Sequence, residues 1–131
     1  MAESAFLWVK GLRFAYPECA VLDNLSLAWP PGLALVRGDE STGKTTLLRV
    51  LAGALTAQAG SITLQGVDLI RAAKDSAPRV FWADPRSSEW DPLTARGWLD
   101  SLPARYPLWD AAALVEHIDG FSLHEHLDKP F

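Results

Sequence analysis

Residues 33–55 read Leu33-Ala34-Leu35-Val36-Arg37-Gly38-Asp39-Glu40-Ser41-Thr42-Gly43-Lys44-Thr45-Thr46-Leu47-Leu48-Arg49-Val50-Leu51-Ala52-Gly53-Ala54-Leu55. At the centre, Gly38 to Thr45 has the form G-x-x-x-x-G-K-[ST], a phosphate-binding loop. Gly38 and Gly43 let the chain bend so that successive backbone N–H groups point at anionic oxygens. Lys44 reaches the β- and γ-phosphates of a nucleotide as a point charge, and the Thr45 hydroxyl can ligate Mg²⁺. Upstream, the apolar run Leu33 to Val36, entered through Pro30-Pro31-Gly32, predicts a buried strand. Downstream, Leu47, Leu48, Leu51 and Leu55, with Val50 and Ala54, repeat at helical spacing and predict a helix ending near Ala54. That helix adds its positive N-terminal end to the same site. Strand, glycine loop and helix in this order predict an α/β P-loop core that binds a nucleotide.

The rest of the composition bounds the reading. A chain of 131 residues is large enough to bury a core, and no apolar run reaches membrane-span length. The start, Met1-Ala2-Glu3-Ser4, lacks the basic and apolar regions of a secretory signal. One cysteine, Cys19, excludes an internal disulfide framework and suits a reducing compartment. A formal charge of −4 leaves no electrostatic footprint for nucleic acid.

Outside the loop, Phe6 to Phe14 alternates through Phe6 and Trp8, then Leu12 and Phe14, broken at Lys10-Gly11; this predicts one or two strands around a bulge or bend. Val21 to Trp29 alternates again as a second, antiparallel strand, and Ser61 to Leu64 forms a third, closed by Gln65-Gly66. Arg79 to Trp82 is a further strand candidate, stopped by Asp84-Pro85. Thr94 is a helix N-cap with Trp98, Leu99 and Leu102 behind it, and Pro103 and Pro107 bracket a connector. A second helix runs from Trp109 to Ile118, with Asp110 in its first turn. The division expected is a nucleotide-binding core over 1–85, with an antiparallel β subdomain, and a partial helical subdomain over 86–131. Trp90, Trp98 and Trp109 are read as part of that subdomain's core. His124-Glu125-His126 lacks the spacing of a metal cluster and is read as a solvated edge, as is His117 on its helix.

In order and content these blocks resemble the ATP-binding domain of ABC transporters. Phe14-Ala15-Tyr16-Pro17 is similar to the family's aromatic loop, in which a tyrosine stacks on adenine. Asp23 to Leu27, Lys44 to Gly53 and Gly60 to Leu69 are similar to its strand before the loop, its first helix and the following strand and turn. Leu93-Thr94-Ala95-Arg96 is similar to the start of its helical subdomain. The compact form most resembles the small ATPases of haem export in cytochrome c maturation.

The resemblance implies ATP and Mg²⁺ as ligands, held by Tyr16 and by Gly38, Asp39, Glu40, Ser41, Thr42, Gly43, Lys44, Thr45 and Thr46. Lys44 is the candidate catalytic residue, Thr45 the Mg²⁺ ligand, and Asp84 a second candidate ligand. It implies a transmembrane permease subunit and a second ATP-binding subunit as partners, and no nucleic acid. The location implied is cytoplasmic, on the inner face of the membrane.

This sequence departs from the family pattern at Asp39-Glu40-Ser41-Thr42, where Pro-Asn-Gly and a small residue are usual. Asp84 stands about where a coupling glutamine is expected. No signature of the L-S-G-G-Q kind and no Walker B strand follow, so the fold is expected to be truncated before both. Little hydrolysis by this chain and an exposed apolar sheet edge beside the loop strand are then expected. Two other readings stay open: a non-hydrolysing nucleotide-binding or interaction fragment, and a small P-loop kinase or GTPase, although no N-K-x-D guanine-reading motif is present.

Overall fold

Alternation and turn residues in the first seventy positions form a hairpin-rich sheet in the computed structural model, which describes residues 5–72, 80–84 and 86–130. The chain divides into two compact units, Met1–Ser76 with Val80–Trp82, and Ala77–Arg79 with Ala83–Phe131. The predicted strand start at Arg79, the boundary at Pro85 and the two chain termini lie outside the described residues.

In the first unit, β1 (Leu7–Tyr16) and β2 (Cys19–Trp29) form an antiparallel hairpin. β3 (Ala59–Leu64) pairs antiparallel with the other side of β1, and the short β4 (Val67–Asp68) pairs with β3 through the Gln65-Gly66 turn. The sheet order is β2-β1-β3-β4.

Register shifts between Val9 and Leu12 mark the bulge predicted at Lys10-Gly11, and it makes β1 one strand. The bulge changes the parity of the strand. Val9, Leu12 and Phe14 therefore all face the core, whereas Trp8 lies outside with the Lys10 ammonium 5.2 Å from its ring centroid. The helix α1 (Lys44–Leu51) sets Leu47, Val50 and Leu51 among Val9, Leu12, Phe14, Leu22 and Ile62 to complete this core. α1 stops three residues before Ala54. The Ala52 N–H bonds back to Leu48 O, and Gly53 turns the chain left-handed at φ +80°. A single turn, α2 (Leu69–Ala72), is capped by Asp68, whose Oδ1 accepts from the Ile70 and Arg71 N–H groups.

Two predicted strands do not form. Leu33 to Val36 carries no ladder hydrogen bonds, and Leu33 and Leu35 are 103% and 82% exposed. Val80 to Trp82 is likewise not strand, and Phe81 is exposed. An apolar run supplies side chains for a buried strand but no hydrogen-bond partners, and no described strand lies beside either run to accept its N–H and C=O groups. The apolar surface expected at the loop strand is thus exposed, as an irregular segment and not as a sheet edge.

In the second unit, Thr94 caps α3 (Ala95–Arg105), its hydroxyl accepting from the Gly97 N–H at 3.1 Å. Pro103 lies inside this helix, where a connector was predicted. The helix closes over it with Tyr106 N–H donating to Leu102 O at 2.9 Å, and only from Tyr106 does the backbone become extended. Asp110 is the N-cap of α4 (Ala111–Gly120), accepting from the Ala113 N–H at 3.0 Å, so the helix starts two residues after Trp109.

Among the described residues of this unit, Leu102 and Leu127 are buried. Trp90, Trp98 and Trp109 are half-buried, with Trp90 and Trp98 in tilted ring contact at 5.2 Å. The chain returns along α3 through Arg96 N–H to Leu127 O and an Arg96–Asp128 ion pair of 2.8 Å. His124 to His126 is a short, exposed 3₁₀ turn, and no group of three His, Cys, Asp or Glu suited to a metal occurs among the described residues.

Candidate functional site

Residues 38–43 connect the exposed apolar run to α1, and their backbone sets the site. Gly43 is the residue before the helix, left-handed at φ +95°, and its Leu47 partner bonds to the Gly43 carbonyl at 2.8 Å. A Cβ on Gly43 would lie 2.6 Å from Val21 Cγ1, so hairpin and loop touch here with no room for a side chain. A Cβ on Gly38 would lie 2.8 Å from Thr42 Oγ1. Gly43 is therefore required by this loop's shape on both counts, and at Gly38 a side chain would displace the Thr42 hydroxyl.

The side chains fold inward on the loop. Thr42 Oγ1 donates to Asp39 O at 2.8 Å. Lys44 Nζ donates to Gly38 O at 2.7 Å and to Asp39 O, and stands 3.4 Å from Thr42 Oγ1. Asp39, Glu40 and Ser41 are exposed. Ser41 has φ +61°, the conformation for which the glycine usual at this position is suited; a non-glycine residue there costs roughly 1–2 kcal/mol. Both acidic residues are exposed, so solvent screening weakens their effect on a bound anion.

Tyr16 stands at the end of β1 with its ring edge-on to Phe14 at 5.0 Å, and its hydroxyl lies 3.3 Å from Thr46 Oγ1 in α1. Tyr16 is 40% exposed. Thr46 is buried and shares its hydroxyl with Tyr16, whereas Thr45 is exposed at the first turn. Tyr16, the loop, Lys44, Thr45 and Thr46 thus belong to the first unit. Asp84 belongs to the second, and its Oδ1 accepts from the Arg86 N–H at 2.9 Å in a turn of its own. Sequence reasoning passed over Arg37, which lines an open hollow of about 530 Å³ with Val36, Gly38, Asp39 and Lys44. Its place directly before Gly38 was the available signal.

A glycine loop wrapped around a lysine at the head of a helix, beside an antiparallel hairpin, defines the class of P-loop nucleotide-binding proteins. The profile described as "ABC transporter" matches residues 22–97, more than half of the sequence, and the chain belongs to that family. It is 45% identical over 62 residues to the sulfate/thiosulfate import ATP-binding protein CysA of Burkholderia mallei, covering 47% of this chain and 18% of that one. It is 30% identical over 131 residues to the arabinose import ATP-binding protein AraG 2 of Burkholderia ambifaria, covering 95% of this chain and 25% of that one.

The fold matches a solved ATP-binding subunit of an ABC transporter with a TM-score of 0.64 at 20% identity, over 95% of this chain and 54% of that one. A nucleotide-free ATP-binding cassette from an ABC transporter matches with a TM-score of 0.60 at 17% identity, over 96% and 57%. The chain therefore spans a quarter or less of these two curated relatives and little more than half of the solved domains. Among the described residues no helix is long and apolar enough to cross a membrane.

Proposed function

We propose that this chain binds Mg-ATP as the N-terminal part of an ABC transporter's ATP-binding subunit, which in the complete protein couples ATP hydrolysis to transport. The observation that carries this reading is the convergence of Gly38, Thr42, Gly43 and Lys44 at the head of α1, with Tyr16 joined to the same helix through Thr46. The loop fits a polyphosphate: its backbone bends where a side chain would clash, a cation stands at its centre, and the helix N-terminus faces the same end. Mg²⁺ on a nucleotide needs only one or two protein oxygens besides phosphate and water, and exposed Thr45 supplies one.

In this reading Lys44 and the loop N–H groups hold the β- and γ-phosphates, and the partly exposed Tyr16 stacks on the base. Stacking of that kind contributes about 1–3 kcal/mol. Bound ATP supplies the phosphoanhydride whose cleavage drives transport. Residues 1–85 act as the ATP-binding core and 86–131 as part of the helical subdomain. The partners are a permease subunit and a second ATP-binding subunit, at the cytoplasmic face of a membrane.

A second reading, nucleotide binding without turnover, draws on Asp84, whose carboxylate is engaged by the backbone of its own turn. Phosphate release that requires Mg²⁺ and disappears in Lys44→Ala excludes it.

Thermal unfolding with and without Mg-ATP tests the main proposal. ATP at about a hundred times its Kd stabilises a binding-competent fold by about 2.7 kcal/mol. A raised transition is expected in the wild type and none in Lys44→Ala. No shift in the wild type, with a cooperative transition present, refutes the assignment.

A further inference from the structure

Lys44 was the one cation that the motif placed on phosphate, yet the loop's own oxygens occupy it. An ammonium has three donors. Gly38 O, Asp39 O and Thr42 Oγ1 stand around Lys44 Nζ at hydrogen-bonding distance, so all three are directed into the loop.

Arg37 is placed differently. It lines the hollow beside Gly38 and Lys44, is exposed, and makes no hydrogen bond or ion pair among the described residues. Arg13, Arg71 and Arg96, by contrast, are each paired with an aspartate. Its guanidinium keeps five donors in a planar fork that matches phosphate oxygens two at a time. Charge leads to the same residue. Between positions 37 and 44 the carboxylates Asp39 and Glu40 match the two cations, so the loop has no net side-chain charge. Without Arg37 it would be net acidic and would repel a polyphosphate.

We infer that Arg37 is a second phosphate-contacting residue of this loop, donating from the hollow to the polyphosphate of the bound nucleotide and offsetting Asp39 and Glu40. The inference rests on the ATP-binding reading above. It makes Arg37 the residue that lets this loop tolerate an acidic pair.

The test is calorimetric titration of the full 131-residue chain with Mg-ATP at low and high salt, for wild type, Arg37→Gln, Arg37→Lys and Lys44→Ala. Arg37→Gln is expected to weaken binding by about tenfold, the loss of one charge-assisted contact, and to make affinity fall less steeply with salt. Arg37→Lys keeps the charge but not the fork, and is expected to restore the salt dependence and only part of the affinity. Arg37 is exposed and makes no hydrogen bond or ion pair among the described residues, so the unfolding transition of Arg37→Gln should match the wild type.

Wild-type affinity and an unchanged salt slope in Arg37→Gln, beside loss of binding in Lys44→Ala, overturn this inference and leave the ATP-binding reading standing. Absence of ATP binding by the folded wild type overturns both.

Discussion

Replacing Gly43 by alanine tests whether the hairpin and the phosphate loop are packed as described. Two costs apply. Alanine at φ +95° is conformationally unfavourable by roughly 1–2 kcal/mol, less about 0.4–1 kcal/mol returned by restricting the unfolded chain. The new Cβ would also stand 2.6 Å from Val21 Cγ1, and relieving such overlap in a packed region costs about 1–3 kcal/mol. The sum is about 1–5 kcal/mol, a sizeable share of the roughly 5–15 kcal/mol that holds a domain folded.

Gly53→Ala is the control. Gly53 is also left-handed, at φ +80°, but nothing lies within 4 Å of its Cβ position, so only the first cost applies and about 1 kcal/mol is expected. Val21→Ala removes the opposing methyls. Combined with Gly43→Ala it should cost less than the two single losses added, with a coupling of about 1 kcal/mol or more. Urea unfolding gives the totals, and amide exchange along β2 and α1 assigns them to the first unit, because two compact units need not unfold together. Equal losses for Gly43→Ala and Gly53→Ala, or strict additivity with Val21→Ala, would refute the packing argument.

Two further outcomes follow from the second unit. Thr94→Ala removes the hydroxyl that accepts from Gly97 N–H and should cost about 1 kcal/mol, read as faster exchange at the start of α3, with Thr94→Ser recovering most of it. Asp128 is held below the ordinary aspartate value by the hydrogen bond from Arg96 and then by its charge. Because the folded value is depressed, the contribution is present above the ordinary value of about 3.9 and is lost as pH falls through the lowered folded value. NMR titration of the Asp128 carboxyl should show a midpoint below that value, returning to it in Arg96→Gln.

Much of this protein was legible one residue at a time. The loop from Gly38 to Thr45, the N-cap role of Thr94 and the bulge at Lys10-Gly11 depend on neighbours within a few positions, so sequence alone determined them. The order of hairpin, loop, helix and strand was legible for the same reason.

What remained depends on residues far apart along the chain. Whether Leu33 to Val36 becomes a strand is decided by whether another strand lies beside it, and its composition carries no information on that. Which of Trp8 and Val9 faces the core is decided by how the bulge changes register against two neighbours. The pairing of Tyr16 with Thr46 spans 30 positions, and the approach of Val21 to Gly43 joins hairpin to loop. The position of Arg37 next to the loop could be read from the sequence, but its place at the hollow, and the turning of Lys44 onto the loop's own carbonyls, belong to the folded loop. Hydrogen bonds and steric contacts act through space, and only the tertiary structure brings these groups within their reach.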